Sequence, residues 1–139
     1  MRPLALITGA AHGIGFEVCR QLARLGYDVI LTARDETRGR ASAAELGDAV
    51  SFIGLDVTSE DSIIAAAEAV ASSYGRIDVL VNNAAQAGAW DELPSAASID
   101  SVRMAFEANL VGAWRDEQGH ARTLWARSTD PDTTPDWDF

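Results

Sequence analysis

The residues with the clearest capacity for chemistry lie near the amino terminus, where Thr8-Gly9-Ala10-Ala11-His12-Gly13-Ile14-Gly15 sets three glycines within seven positions. Glycine admits backbone conformations closed to other residues, and its missing side chain lets an anion approach the main chain. Amides at the start of a helix carry partial positive charge, so a turn of this kind between a strand and a helix suits a pyrophosphate. Gly-rich strand-to-helix turns also occur where no nucleotide binds. The strand before this turn and the helix after it are what favour a dinucleotide.

Such a turn needs elements to hold it. Leu4–Ile7 is an apolar run directly before Thr8, and further short apolar runs span residues 29–31, 50–55 and 77–81, bounded by Gly, Asp or Asn. None alternates strictly, which is the pattern of strands in a parallel sheet covered on both faces. Between the first two, Ile14, Val18, Leu22 and Leu25 mark the apolar face of a helix that Gly26 stops. Glu36–Leu46 is a second, weaker helix closed by Gly47. A third opens with Thr58 or Ser59 as its cap, has Asp61 at its positive end, and carries a stripe of Ile63, Ala67, Val70, Ala71 and Tyr74 before Gly75. A fourth is expected from Ser98, with Val102, Ala105, Phe106 and Leu110 on its apolar side. This alternation predicts an α/β fold, a right-handed, doubly wound parallel sheet of Rossmann type, over residues 1–114. Residues 115–139 hold six acidic residues, three arginines and two prolines with almost no apolar periodicity, and are expected to form an irregular acidic tail.

The 139 residues fit one domain, and 47% hydrophobic with 23% charged residues is ordinary for a globular protein. A formal charge of -10 disfavours nucleic acid and anionic membrane as partners, since both reward clustered cations. A small molecule or a protein is favoured instead. Cys19 is the sole cysteine, which excludes an intrachain disulfide and a cysteine-built zinc site, and no metal site is expected. The first apolar run meets Thr8 and Gly9 too soon for a signal peptide, and no run approaches transmembrane length. A reduced, cytoplasmic setting is the expectation.

The tip of the second strand bears on which dinucleotide would bind. An acidic residue there would hold the ribose hydroxyls and repel a 2′-phosphate, but Ala33 and Arg34 stand in its place. Arg34 offers a planar fork to a phosphate, and His12 offers a further donor from the Gly-rich turn. NADP is therefore expected over NAD. The alternatives are a solvated surface arginine at 34 and an exposed loop histidine at 12.

Four further features follow the Thr-Gly-x-x-x-Gly-x-Gly turn in order. They are Leu31-Thr32-Ala33-Arg34-Asp35, Leu55-Asp56-Val57-Thr58, Asn82-Asn83-Ala84-Ala85, and Asn109 within Phe106-Glu107-Ala108-Asn109-Leu110. In this register the chain resembles the short-chain dehydrogenase/reductase family over residues 4–114, and residues 31–35 are similar to its carbonyl-reductase-like members. The resemblance implies an NADP-dependent oxidoreductase acting on carbonyl or alcohol groups of small molecules. It also implies a cofactor site built from Gly9, His12, Gly13, Ile14, Gly15, Arg34, Asp56, Val57, Asn83 and Ala84. Asp56 would bond the adenine amine with the Val57 backbone beside the ring, and Asn83 and Ala84 would line the nicotinamide-side ribose. Asn82 would tie its strand to the neighbouring ones. A helix-capping role is the alternative for Asp56. Asn109 matches the asparagine of the family's proton relay, and is the one catalytic residue the resemblance assigns. Ala85 stands where the family usually has glycine, and its methyl group is expected to crowd the backbone near the ribose.

The family's chemistry further implies a substrate-positioning Ser and a Tyr followed four residues later by Lys. Neither Tyr27 nor Tyr74 precedes such a lysine, because all 11 residues counted as Lys or Arg are arginine. Unassisted tyrosine titrates at about 10, a poor match for proton transfer at neutral pH. The chain is therefore expected to be inactive by itself. Gly112-Ala113-Trp114-Arg115 still resembles the start of the family's long interface helix, whereas Asp116-Glu117-Gln118-Gly119-His120 does not continue its apolar face. Shifted by one base, codons for residues 116–125 can encode Met-Ser-Lys-Ala-Met-Leu-Glu-Leu-Ser, so a frameshift is one account of the break, and the gene sequence decides it. In the family's strand order, 3-2-1-4-5-6-7, the fourth strand would be central. An open apolar edge at residues 77–81 and marginal stability are therefore expected. The alternative to an oxidoreductase fragment is a non-catalytic nucleotide-binding or regulatory module that pairs this edge with a full-length relative.

Overall fold

Every side chain of β1 (Leu4–Ile7) is buried. That is why its apolar residues run without alternation: the sheet has helices on both faces. β1 pairs in parallel with β2 (Asp28–Ala33) on one side and with β4 (Val79–Val81) on the other, while β3 (Val50–Gly54) pairs with β2. The resulting order is β3-β2-β1-β4. The structure, a computed structural model, describes residues 1–86 and 98–118.

α1 (Gly13–Arg24) and α2 (Glu36–Leu46) cover one face, where Cys19 and Ala43 meet Ala5, Ile7, Val29 and Leu31. α3 (Glu60–Ser73) covers the other, packing Val70 on Leu4, Leu6 and Ile30, and Ile63 and Ala66 on Leu55 and Val57. The sheet is thus doubly wound. Its register sets Ile7 beside both Leu31 and Val81, so the chain leaves β1, β2 and β4 at a common level. In open α/β sheets that carboxyl-end level is where ligands sit.

The burial of three helices differs from expectation. In α1, Val18 and Leu22 pack against the core, but Ile14 is 79% exposed and Leu25 is 74% exposed. The closest approach to the sheet is made by Gly15 and Cys19, because small residues let the helix axis come near the strands, while Ile14 sits at the mouth of a cavity. Leu25 is already the C-cap, one residue before Gly26 at φ 91°. In α3, Ser59 is the cap, accepting from the Ser62 amide at 3.3 Å. Tyr74 is only half-covered, its hydroxyl bonded to Ser51 at 2.8 Å.

α4 (Ile99–Phe106), capped by Ser98, continues as a π-helical stretch, Glu107–Gly112, and then as a further helical turn over residues 113–118. The expected apolar side, Val102, Phe106 and Leu110, is exposed, while Ala108, Gly112 and Asp116 are buried. The physical reason is steric. A Cβ on Gly112 would lie 2.8 Å from the Val57 carbonyl, so glycine at this position lets the helix rest on the β3–α3 loop. The helix also runs past residue 114, so residues 115–118 are helical rather than irregular, and 119–139 lie outside the described residues. Trp125 and Trp137 lie there too. No helix among the described residues is long and apolar enough to cross a membrane.

Candidate functional site

The turn after β1 is held in shape by the protein on several sides. The Thr8 amide donates to the Val81 carbonyl at 3.0 Å and the Ala10 amide to the Thr32 carbonyl at 2.8 Å, so the turn is bound to the tips of both neighbouring strands. Asn83 then donates its side-chain amide to the carbonyls of Thr8 and Gly9 at 3.0 and 3.1 Å. These carbonyls are thereby satisfied by a protein donor. Gly9 and Gly13 adopt φ of +62° and +64°, values that L side chains rarely take. A Cβ on Gly9 would lie 2.7 Å from Ala84 Cα, and one on Gly15 would lie 2.5 Å from Asn83 Nδ2. Glycine is required at these two positions for packing against the β4 tip.

α1 begins at this turn with His12 as N-cap. Its side chain makes no capping bond and the first turn of the helix carries no acidic residue. The positive end of the helix is therefore unneutralised locally, which suits an anion. One turn further on, Glu17 has its charge countered by Arg20 and Gln21, whose hydrogen bonds lower its pKa to about 2.

The turn opens into a cavity of ≈ 570 Å³. Gly9, His12, Gly13 and Ile14 line one part, Arg34 another, Asp56 and Val57 a third, and Asn83 and Ala84 a fourth. Nine of the ten cofactor-site residues expected from the sequence thus share one cavity, and Gly15 is buried behind it. Ala108 from the π-helical stretch completes the wall.

At the β2 end, Asp35 is the N-cap of α2, accepting from the Arg38 amide at 2.9 Å. Its carboxylate is thus spent on the helix. Arg34 and Arg38 both line the cavity and are exposed, and among the described residues neither is held in an ion pair. Arg38 was not singled out from the sequence. Its signal was available in the spacing: a helix capped by Asp35 brings its third residue, four after Arg34, back to the same opening. Arg40, by contrast, pairs with Glu36 at 2.7 Å and lies over the Phe52 ring.

Asp56 accepts at Oδ1 from the amide and hydroxyl of Thr58, at 2.9 and 2.6 Å, while its own amide donates to Ser62 Oγ at 2.9 Å. It forms an Asx turn ahead of α3, and Ser59 does the capping. One assignment changes at β4. Asn83, not Asn82, ties the strand to the β1 turn, and Asn82 is exposed. Ala85 is exposed, adopts no positive φ and lines the cavity.

Asn109 lies in the π-helical stretch and does not line the cavity. Its Oδ1 accepts from the Gln86 amide at 2.7 Å and its Nδ2 donates to the Gln86 carbonyl at 3.1 Å, a two-point clamp on a residue that does line it. Helices of this wide kind recur at functional sites, because the extra residue per turn redirects a side chain. Among the described residues neither Tyr27 nor Tyr74 lines the cavity.

Comparison with known proteins agrees with this geometry. The family model described as short chain dehydrogenase matches residues 3–128. The chain is 35% identical over 116 residues to the short-chain dehydrogenase anuI of Penicillium roqueforti, covering 80% of this chain and 45% of that protein. It is 48% identical over 85 residues to carbonyl reductase [NADPH] 1 of Bos taurus, covering 58% of this chain and 31% of that one. Among solved structures, an actinorhodin polyketide ketoreductase with NADPH superposes with a TM-score of 0.81 at 33% identity, over 88% of this chain and 48% of that one. A Burkholderia cenocepacia gluconate 5-dehydrogenase with NADP and tartrate gives 0.79 at 30% identity, over 90% and 49%. A 3-ketoacyl-(acyl-carrier-protein) reductase from Brucella melitensis with NADH gives 0.78 at 30% identity, over 84% and 47%. The chain spans less than half the length of each of these proteins.

Proposed function

Since this chain belongs to the short-chain dehydrogenase family, we propose that it binds NADP(H) in the cavity above β1 and β2, as the nucleotide-binding part of a carbonyl or alcohol oxidoreductase. The observation that carries the cofactor choice is the pair Arg34 and Arg38, both facing the cavity and neither engaged in an ion pair among the described residues, beside an Asp35 committed to capping. Two guanidinium groups supply the planar, charge-assisted donors that a 2′-phosphate needs. The glycines fit the rest of the ligand. At Gly9 and Gly15 the packing itself excludes side chains and keeps the turn close on the β4 tip. Gly13, which lines the cavity, leaves bare main chain beside open space for a pyrophosphate. His12 adds a donor to the phosphate end, Ile14 borders the pyrophosphate, and Asp56 keeps Oδ2 for the adenine amine with Val57 against the ring. Asn83 and Ala84 bound the ribose on the nicotinamide side.

When bound, NADPH supplies the hydride. The residues of this chain bind and orient it, but the sequence contains no lysine, and neither tyrosine lines the cavity among the described residues. With no tyrosine–lysine pair in the sequence and no tyrosine lining the cavity among the described residues, the 139 residues alone are proposed to bind cofactor without turning over substrate. Asn109 acts through Gln86, holding the loop after β4 as a wall of the site. Residues 1–118 form the nucleotide-binding unit, four more than the sequence pattern marks.

The test is a titration of the purified chain with NADPH and NADH, read by fluorescence or calorimetry, repeated with Arg34→Asp and Arg38→Ala. NADPH is expected to bind more tightly. Each change is expected to weaken it by roughly ten- to a hundredfold, the worth of one or two charge-assisted hydrogen bonds. Equal binding of both cofactors, unaffected by Arg34→Asp, would overturn the assignment. Turnover of a simple aldehyde by this chain would overturn the proposed inactivity.

A second proposal is favoured by one observation. Among the described residues β4 pairs with β1 alone, and its three residues are only half-buried. A free strand edge of this kind can template pairing with another chain. If the chain works as a regulatory module on a full-length relative, co-expression of the two should yield a soluble complex on size exclusion.

A further inference from the structure

Ser42 lies on the second turn of α2, is buried, and donates a 2.7 Å hydrogen bond to the Ala11 carbonyl, 31 residues away. A serine inside a helix ordinarily turns its hydroxyl to the carbonyl four residues back. Ser72 in α3 does so, donating to the Glu68 carbonyl at 2.7 Å. Ser42 instead leaves its own helix and reaches the Gly-rich turn. Among the described residues it is the hydrogen bond that joins α2 directly to that turn.

The two elements it joins carry the groups proposed to face the 2′-phosphate. The turn carries His12, α2 carries Arg38 in its first turn, and Arg34 directly precedes the Asp35 cap. The Ala11–His12 peptide is trans and planar, so its carbonyl and the His12 N–H point in opposite directions. With the carbonyl bound to Ser42, which does not line the cavity, the His12 N–H is turned to the side away from α2.

We propose that Ser42 is a positioning residue for cofactor selectivity: its bond to Ala11 sets the spacing between His12 and the Arg34/Arg38 pair, and so tunes the grip on the 2′-phosphate. This rests on the proposed NADP(H) site. Losing the bond lets the turn and α2 drift relative to one another, which weakens a group held from both sides. The pyrophosphate is held by the turn and α1 alone, so it is affected little.

The experiment compares wild type, Ser42→Ala and Ser42→Thr for binding of NADPH and NADH by calorimetry, with thermal unfolding of each protein alongside. Ser42→Ala is expected to lose roughly three- to tenfold in NADPH affinity, the worth of one hydrogen bond, with NADH affinity unchanged. Ser42→Thr, which keeps the hydroxyl, is expected to retain the wild-type NADPH-to-NADH ratio. Unchanged NADPH binding in Ser42→Ala would overturn the inference. So would equal losses for both cofactors, the signature of a merely structural role, or a Ser42→Thr ratio as low as that of Ser42→Ala. A wild-type chain that binds neither cofactor would instead overturn the nucleotide site itself.

Discussion

Thr8 and Asn83 are bound to each other twice: the Asn83 amide donates to Thr8 Oγ1 and its side-chain Nδ2 donates to the Thr8 carbonyl, both at 3.0 Å. The Ala84 amide also donates to Thr8 Oγ1, at 2.9 Å. One hydroxyl therefore satisfies two consecutive amides where β4 meets the turn. Thr8→Val keeps the shape and removes the acceptor. It is expected to cost about 1–3 kcal/mol, since the part-buried Ala84 amide loses its acceptor while the Asn83 amide keeps the Val81 carbonyl at 3.0 Å, and the midpoint of urea unfolding should fall accordingly.

The glycines of the turn are not equivalent. Gly9 and Gly13 share a positive φ, but a Cβ at Gly9 would meet Ala84 Cα at 2.7 Å, whereas nothing lies within 4 Å of one at Gly13. Gly13→Ala should therefore show only backbone strain, about 1–2 kcal/mol. Gly9→Ala should cost clearly more and abolish NADPH binding. Equal unfolding midpoints for the two variants would contradict the packing described here.

Asp78 joins β4 to the start of β1. Its Oδ2 accepts from the Leu4 amide at 2.7 Å, and its own amide donates to the Leu4 carbonyl at 2.9 Å. The hydrogen bond from the Leu4 amide to its carboxylate, followed by that from the Arg76 guanidinium, lowers its pKa. A lowered folded pKa means stability that is present above the unfolded value, about 4, and lost as pH falls through the folded one. Denaturation followed from pH 7 downward should show this loss beginning below about pH 5, and Asp78→Asn should flatten it.

Cys19 faces the sheet from α1, and burial raises its thiol to about 12. The thiolate is the reactive form. Ellman's reagent at pH 8 is therefore expected to leave the folded chain unmodified and to react with one thiol per chain in strong urea. Reaction with the folded protein at the rate of a free thiol would show that α1 opens readily from the sheet.

Much of this was legible in the order of residues. Leu4–Ile7 as an unbroken apolar run announced a strand covered on both faces, and Glu36–Leu46 was closed by Gly47 as observed. Both signals are local, a matter of period and caps. The apolar sides of α1 and α4 were legible only in part, because Ile14 and Phe106 are apolar without being covered, and the contacts that matter pass through Gly15, Ala108 and Gly112. Small residues carry little hydrophobic signal, yet they decide how closely two elements approach.

The sequence by itself determined which elements form and that a glycine turn stands between the first strand and the first helix, since backbone preference and hydrophobic period act over a few neighbours. Tertiary structure alone decided the division of labour among distant polar groups: Asn83 rather than Asn82 on the turn, and Ser42 on Ala11. Each of these depends on which donor meets which acceptor across a packed interface, and residues 31 or 75 positions apart meet only when the sheet has brought their elements together.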